Sequence, residues 1–585
     1  MFGPELTLCG TIVLLLLSRL ILGDRLSSTL VAFAGTVVAL IFALFSWNEI
    51  AGTSQEAFTG MLVVDTFTVF FRIFLMAFGV LFVIFTWRSG IPDKEDAADF
   101  YTLALGSLLG MCLMVSANHL LIVFLAVEMA SVPSYVLAGI LKGRRKSSEA
   151  ALKFAVYGAG AAGIMLYGIS LIAGIVGTVH LPSAGQSLAN IMANDPSGGV
   201  LWVLGLGGLM IMVGLAFKLS AVPFHFWAPD VFEGAAAEIG GFLSVASKAA
   251  AIGLLVRMAV GFGYAEEPQH AEPVAQQAAS QQALADQSPG TNAAAANPED
   301  GVFVSTNSAQ DGAQQPSDNE QENTSEQTPA NDGAEDDGAA AEAPSEDAAH
   351  TADSLAPVRT YISYLVGLLA AITCTFGNMA AYGQTNIKRL LAYSTIAHAG
   401  YMMFAVAGAL PLIGTSTSNA EYHIASLAFY VVTYLFMNLT AFAIVAFMRN
   451  RTGSEEISDY AGLIRTSPGL VVCFSIILMS LIGLPPLAGF AAKYVVFSTL
   501  AESGLMLLLM IGAINTVISL FYYLRVVKAM CLEEPAEGQQ PVTFPIWKSV
   551  DGWFVLVLTL PVVVFGVFWG PLHDWALAAC RDLLP

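Results

Sequence analysis

Charged side chains are scarce in this chain of 585 residues, at 12% of the total, whereas apolar ones make up 56%. Because about a quarter of the residues in a soluble domain are charged, this composition argues against a soluble protein. Cysteine is also sparse: the six cysteines form no CxxC pair and show no metal-ligand spacing, which predicts inert packing residues. The sequence therefore predicts an all-α polytopic membrane protein that binds no flavin, haem or iron–sulfur cluster and no nucleic acid.

Basic residues are missing from one long segment. Residues 265–356 contain 19 Asp or Glu and no Lys or Arg, so 26 acids and 24 bases remain elsewhere, and the net charge of −21 belongs to this segment. Phe303 is its only aromatic residue. Such a composition cannot bury enough apolar surface to fold and predicts a disordered acidic insert over 263–356. Insertion at a surface turn is the favoured interpretation, and a docking or cation-attracting role is the alternative.

Long apolar runs dominate the rest of the chain. A membrane-spanning helix needs about 20 apolar residues, and this window predicts about fourteen spans. They cover residues 5–22, 28–46, 62–87, 100–116, 119–141, 149–175, 201–234, 238–262, 358–382, 386–410, 424–448, 469–502, 504–530 and 552–572.

The basic residues between spans support this count. Loops after odd-numbered spans hold sixteen Lys or Arg, and the other loops and the tails hold only Arg359 and Arg581. Because basic residues accumulate in cytoplasmic loops, both termini and the acidic insert are predicted outside the cytoplasm. The N-terminus lacks the basic region of a cleavable signal, so the first run is expected to remain as a helix.

Two predicted spans are too long to be single straight helices. Residues 201–234 contain Pro223 and Pro229, and residues 469–502 contain Pro485 and Pro486. Because proline removes a helical hydrogen bond, both spans should be broken. They lie five spans apart, which predicts two inverted five-helix repeats, spans 4–8 and 9–13, with a transport pathway at mid-membrane. The expected segments are 1–99 (three helices), 100–262 (first repeat), 263–356 (insert), 357–530 (second repeat) and 531–585 (last span).

Several ionisable residues lie inside the predicted spans. Glu128, Lys248 and His398 are central along their helices, and Lys218 and Lys493 lie beside the breaks. Such residues in a bilayer are costly and usually functional. By contrast, Lys153 and Arg257 lie near helix ends, where they could reach the interface. Lys153 could have a functional role or could simply reach the interface, and both interpretations stay open.

Proton passage gives these residues a common purpose. Burial generally lowers the pKa of a lysine, and a nearby carboxylate raises it. Movement of Glu128 relative to Lys218 would then switch the lysine between holding and releasing a proton. Histidine suits a relay, which nominates His225 and His398, although His398 could instead be a core residue bonded to Tyr401 or Thr395.

Two further patterns favour structural roles. Asp65 and Arg72, seven residues apart, are expected to form a structural ion pair. The run GAGAAG at 158–163 matches a dinucleotide-binding motif, but it lies inside span six, where small residues favour close helix packing. Aromatic clusters at 224–227 and 521–523 are as compatible with packing or interfacial anchoring as with quinone binding.

Four stretches resemble a known family. FLAVEMASVPSYVLAGILKGRRKSSEAALKFAVYGAGAAGIMLYG (124–168), FKLSAVPFHFWAPDVFEGA (217–235), QTNIKRLLAYSTIAHAGYM (384–402) and GLPPLAGFAAKYVVF (483–497) are similar to the antiporter-like membrane subunits of bacterial NADH:quinone oxidoreductase, respiratory complex I, and most of all to the subunit N family. The resemblance covers most of the chain outside the insert.

The resemblance implies a proton-translocating subunit with fourteen helices. The family pattern places relay residues on Glu128, Lys153, Lys218, His225, Lys248 and Lys493. It also implies partners among the other membrane subunits of complex I, and NADH, FMN, iron–sulfur clusters and quinone bound in other subunits.

This chain departs from the family pattern in two places. After the motif of span seven, GAAAEIGGF (234–242) replaces the usual Gly-Ala-Pro-Thr turn and introduces Glu238, a possible partner for Lys248. The acidic insert is also not typical, so the chain could belong to a variant assembly. A subunit of a multisubunit cation/proton antiporter is the alternative function, and a secondary transporter of an organic solute is a third.

Overall fold

The protein is described by a computed structural model that covers residues 2–22, 27–50, 52–93, 95–194, 196–265, 354–535, 542–581 and 583–584. Apart from its edges, the predicted acidic insert lies outside the described residues. Two short strands, β1 (Gln55–Ala57) and β2 (Leu62–Val64), form an antiparallel hairpin with Gln55 opposite Val64.

Helices make up nearly all of the remaining described structure. The first nine are α1 (Gly3–Leu22), α2 (Ser28–Ile50), α3 (Thr66–Ser89), α4 (Ala97–Val115), α5 (Leu120–Ala138), α6 (Arg145–Val176), α7 (Leu181–Ala193), α8 (Gly198–Leu219) and α9 (Trp227–Gly234). The next five are α10 (Ala237–Gly263), α11 (Ala356–Ala381), α12 (Ile387–Ala409), α13 (Thr417–Thr452) and α14 (Leu463–Thr466). The last five are α15 (Pro468–Ile482), α16 (Ala488–Glu502), α17 (Met506–Leu532), α18 (Val550–Val567) and α19 (Gly570–Cys580).

The predicted membrane architecture is confirmed. Within the described residues, 13 helices are long and apolar enough to cross a bilayer, and the half-helices α15 and α16, of 15 residues each, together form one more span. The two predicted breaks occur where expected, at residues 220–226 and 483–487. The fold is thus the expected bundle of fourteen spans with two inverted five-helix repeats, each containing a broken helix.

The bundle has a buried centre and a periphery that exposes apolar side chains. Helices α10, α12 and α13 are buried over almost their whole length, whereas α1, α2, α17 and α18 are mostly exposed and suited to face lipid. Close approach is built in at Gly110 of α4, where an added Cβ would lie 2.5 Å from Ala130 N of α5. This contact fixes α5 against the bundle next to Glu128. In the GAGAAG run, only Gly158 lies against a neighbour, the Tyr135 ring, and Gly160 and Gly163 face open space.

The predicted ion pair of Asp65 with Arg72 is wrong. Asp65 is the N-cap of α3, and its carboxylate accepts a hydrogen bond from Thr68 N at 2.8 Å. This orientation turns it away from Arg72, which is two helical turns further on. Arg72 instead pairs with Glu5 of α1, with 2.5 Å between Nε and Oε1, and both side chains are fully buried.

Asp65 pairs with Arg257, which the sequence placed near the membrane interface. Arg257 is only 9% exposed; its Nη2 lies 2.5 Å from Asp65 Oδ1 and donates to Thr68 Oγ1 at 2.7 Å. Its Nε donates to the carbonyl of Val115. The expectation that Arg257 reaches the interface is therefore wrong, because α3 with its N-cap, and α4, supply partners inside the bundle.

Candidate functional site

The break in span seven exposes backbone carbonyls inside the membrane region. Helix α8 ends at Leu219, and Ser220 adopts a left-handed conformation with φ of +56°. Pro223 follows and cannot donate a backbone hydrogen bond. The carbonyl of Phe217 is satisfied by Trp227 Nε1 at 3.0 Å, and the amide of Val222 donates to Thr373 Oγ1 at 2.9 Å. The break is thus held by side chains together with the backbone hydrogen bonds that end α8, such as that from Ala221 N to the carbonyl of Ala216 at 2.7 Å.

Lys248 of α10 donates into this break. Its Nζ lies 2.5 Å from Ser220 Oγ and 3.3 Å from the carbonyl oxygen of Lys218, and 5.6 Å from the centre of the Trp227 ring. Lys248 is 2% exposed and Lys218 is 3% exposed. Their positive charges are close enough to act on each other. Two lysines from consecutive spans therefore meet at one interruption of the helix.

Glu128 on α5 supplies the nearby negative charge. Its charge and that of Lys218 act on each other. Its buried Oε1 atom has no hydrogen-bond partner among the described residues. Glu128 and Lys218 therefore interact electrostatically, while Oε1 of the carboxylate makes no direct hydrogen bond within the described structure.

His225 lies on the segment that connects the two halves of span seven. It is 4% exposed, and its ring packs 4.4 Å from the ring of Phe376 on α11. Together with the bond from Val222 to Thr373, this contact joins the break of the first repeat to the first helix of the second repeat.

The break in span twelve is organised around one lysine. Gly483 ends α15 with φ of +93°, and Pro485 and Pro486 follow. Lys493 Nζ, from α16, donates to the carbonyls of Leu481 and Ile482 at 3.1 and 2.9 Å. It also lies 4.3 Å from the centre of the Tyr401 ring. As in the first repeat, a lysine ammonium group donates hydrogen bonds to backbone carbonyl oxygens at the break.

His398 connects this lysine to a group of tyrosines. Its charge and that of Lys493 act on each other, and its Nδ1 is 2.8 Å from the Tyr430 hydroxyl. Its Nε2 is 3.5 Å from the hydroxyl of Tyr523, which in turn bonds to Ser394. The predicted bonds to Tyr401 or Thr395 are wrong, because Tyr401 makes only a ring contact at 5.8 Å and Thr395 accepts from Tyr434.

Lys153 lies apart from these buried groups. Its side chain is 36% exposed and forms ion pairs with Asp230 of α9 at 2.6 Å and Glu149 at 2.9 Å. Asp230 also pairs with Arg389 at 2.9 Å. Lys153 therefore belongs to a surface network beside the second half of span seven and not to the buried cluster.

Glu238 does not pair with Lys248 as expected from the sequence. It is fully buried, and its Oε1 lies 3.4 Å from Arg449 Nη2 of α13. Glu238 lies at the start of α10, almost three helical turns before Lys248. It therefore cannot reach Lys248.

Sequence reasoning missed several partners. Ser220, Trp227, Asp230, Arg449 and Glu5 lie far along the chain from the residues they bind. One signal was available: Tyr430, Tyr434 and Asn438 recur every four residues along an otherwise apolar helix, which predicts a polar stripe facing inward.

The fold and the two lysine-bound breaks define a class, the antiporter-like membrane subunits. The family described as NADH:quinone oxidoreductase/Mrp antiporter, transmembrane, matches residues 117–272 and 349–519. NADH-quinone oxidoreductase subunit N of Anaeromyxobacter sp. is 33% identical over 99% of this chain and 96% of its own length, and that of Chlorobium chlorochromatii is 33% identical over 98% and 93%. The chain belongs to the NADH-quinone oxidoreductase subunit N family.

Solved structures share the fold. A chain of respiratory complex I from Thermus thermophilus is 26% identical, with a TM-score of 0.66 and coverage of 99% of this chain and 100% of that one. A chain of the Mrp complex from Dietzia sp. is 16% identical with a TM-score of 0.69, covering 100% and 97%. At that identity the second match concerns the fold alone.

Proposed function

We propose that this chain is the proton-translocating membrane subunit of a NADH:quinone oxidoreductase, in which quinone reduction elsewhere in the complex drives protons through this subunit. The proposed relay residues are Glu128, Lys153, Lys218, His225, Lys248, His398 and Lys493. Membership of the subunit N family and the likeness to a chain of respiratory complex I support this proposal.

One observation carries it. Two buried lysines, Lys218 and Lys248, meet at the break of span seven, and the charge of Glu128 on α5 acts on that of Lys218. Buried charges of this kind are expensive in a bilayer and mark ion pathways. A break in a membrane helix, where backbone groups bond outside the helical pattern, is a place where water is tolerated.

The setting follows from the charges and the family. The face of the bundle that carries Lys142, Lys146, Arg389 and Arg451, called the basic face below, is proposed to lie in the cytoplasm of a bacterium, by the positive-inside rule. Both termini and the acidic insert then lie on the opposite side. The partners are the other membrane subunits and the lipid bilayer, and the redox cofactors belong to other subunits.

The domain limits given above, 1–99, 100–262, 263–356, 357–530 and 531–585, are proposed as the functional units. The second and fourth each contain one lysine-bound break.

The test is proton pumping by the whole complex in proteoliposomes, with Lys218→Ala and Glu128→Ala. Because removal of a positioned proton-transfer group typically costs about 100-fold or more in rate, we expect proton flux per electron to fall below detection. Lys142→Ala is the control: this loop lysine is 77% exposed, and its hydrogen bond to Asp96 raises its pKa. Normal pumping by either relay variant would contradict the proposal.

The family description also includes Mrp antiporters, which keeps a cation/proton antiporter as the second candidate. Sodium flux in the same proteoliposomes, together with the absence of flavin and iron–sulfur subunits from the native complex, would favour it. Solute uptake that survives Lys218→Ala would favour an organic-solute transporter.

A further inference from the structure

A polar pocket of about 440 Å³ opens on the basic face. Arg144, Lys146, Arg449, Glu455 and Glu456 line it, and Arg449 is the most buried of these charged residues. The relay described above does not use this pocket. Its charged lining suits water, not lipid, so the pocket can bring the aqueous phase to Arg449 near the end of α13.

Arg449, which lines the pocket, forms a buried ion pair with Glu238. Glu238 has no exposed surface, and Arg449 is 9% exposed. Only Glu238 Oε1 and Arg449 Nη2 approach each other, at 3.4 Å; within the part of the chain that the structure describes, Glu238 Oε2 and Arg449 Nη1 have no hydrogen-bond partner. A buried carboxylate oxygen left in this state is costly unless water reaches it.

Charged groups from other elements surround this pair. Lys388 of α12 is 2% exposed, pairs with Glu455 at 2.8 Å and donates to the carbonyl of Ala235 at 2.8 Å. Its charge acts on those of Arg449 and Glu238. Two acids, Glu238 and Glu455, and two bases, Arg449 and Lys388, therefore form a compact group whose charges balance.

Glu238 also lies on the same helix as the relay. It stands ten residues before Lys248 on α10, or about 15 Å along the helix axis, with Ser244 and Ser247 between them. Both serines are buried, and so is the helix around them. We propose that Glu238 is a proton-uptake residue, which takes protons from the pocket on the basic face and passes them along α10 toward Lys248. This inference rests on the proposed function.

The test uses Glu238→Gln in the complete complex, with proton flux per electron measured in proteoliposomes across a range of pH on the basic face. Glutamine keeps the shape but cannot carry the proton, so we expect proton flux to fall at least about tenfold and to decline more steeply as pH rises, because uptake then depends directly on the proton concentration. Glu238→Asp should restore most of the flux. Glu456→Gln is the matched control, since this glutamate lines the same pocket but is exposed.

A purely structural ion pair predicts a different pattern. The double variant Glu238→Gln/Arg449→Gln removes both charges, so no unpaired buried charge remains. If the pair only stabilises the fold, this variant should recover normal proton flux. Normal flux in the double variant, or an unchanged pH profile in Glu238→Gln, would overturn the inference. If Lys248→Ala loses proton flux while Glu238→Gln keeps it, proton uptake at Glu238 is wrong but the proposed function stands. If both variants keep normal proton flux, the proposed function itself is wrong.

Discussion

The two repeats use one structural device with different chemistry around it. In both, prolines interrupt a span and an ammonium group occupies the freed carbonyls: Lys248 at the break of span seven and Lys493 at that of span twelve. Lys248, however, comes from the following helix, whereas Lys493 belongs to the broken span itself. The first break is therefore closed by a neighbour and the second by its own second half.

The surroundings of the lysines differ more. In the first repeat the charges of Glu128 and Lys218 act on each other. In the second, Lys493 lies beside His398, Tyr401 and, through the histidine, Tyr430. A carboxylate can switch the proton affinity of a lysine when it moves, whereas a histidine with tyrosines can pass a proton without a change in fixed charge. The two repeats therefore offer different chemistry for proton transfer, which the following variants compare.

The largest effect that would sharpen this comparison is expected from Lys493→Met. The substitution leaves two buried carbonyls without their donor, at a cost of about 1–3 kcal/mol each in stability, and removes the central group of the second repeat. Proton flux should fall to the level of the Lys218→Ala complex, and the thermal midpoint of the detergent-solubilised complex should drop.

Lys528→Met provides the control, because Lys528 is 62% exposed and pairs only with Glu533 in the described structure. If Lys493→Met pumps normally while Lys218→Ala does not, the second repeat is not part of the pathway.

Sequence reasoning located the breaks better than the contacts that hold them. Proline within an apolar run marks an interruption wherever it occurs, so Lys218 and Lys493 could be placed beside the breaks from local pattern alone. The partner of Arg72 could not be predicted from local pattern, because Glu5 lies 67 residues away and only the packing of α1 brings it near. Asp65 was misassigned because helix periodicity ignores capping: its carboxylate is committed to Thr68 N.

Tyr430→Phe should produce the next largest effect. It removes only the hydroxyl 2.8 Å from His398 Nδ1, so stability should change by about 0.5–1.5 kcal/mol. If the second repeat conducts through histidine and tyrosine, proton flux should fall several-fold with quinone reduction retained. Tyr494→Phe is the control, at a tyrosine that is 58% exposed. Equal flux in both variants would remove Tyr430 from the conducting group.

Ser220 tests how the first break is held. Ser220→Ala removes the acceptor of Lys248 and keeps a side chain at φ of +56°, whereas Ser220→Gly removes the same hydroxyl and relieves the backbone. The glycine variant should be more stable than the alanine variant by about 1 kcal/mol, as measured by thermal unfolding. Both should lose the same modest share of proton flux, and a glycine variant with normal flux would show that the hydroxyl is dispensable.

Lys153→Ala should have the smallest effect of the proposed relay residues. Its ammonium is bound by Asp230 and Glu149 at the surface, and exposed ion pairs contribute about 0–1 kcal/mol, so stability should hardly change. We expect proton flux to fall less than in Lys218→Ala, because Lys153 lies outside the buried cluster and acts beside α9. A loss as complete as that of Lys218→Ala would mean that the first repeat passes protons through its surface network, and that Glu128 and Lys218 do not control transfer alone.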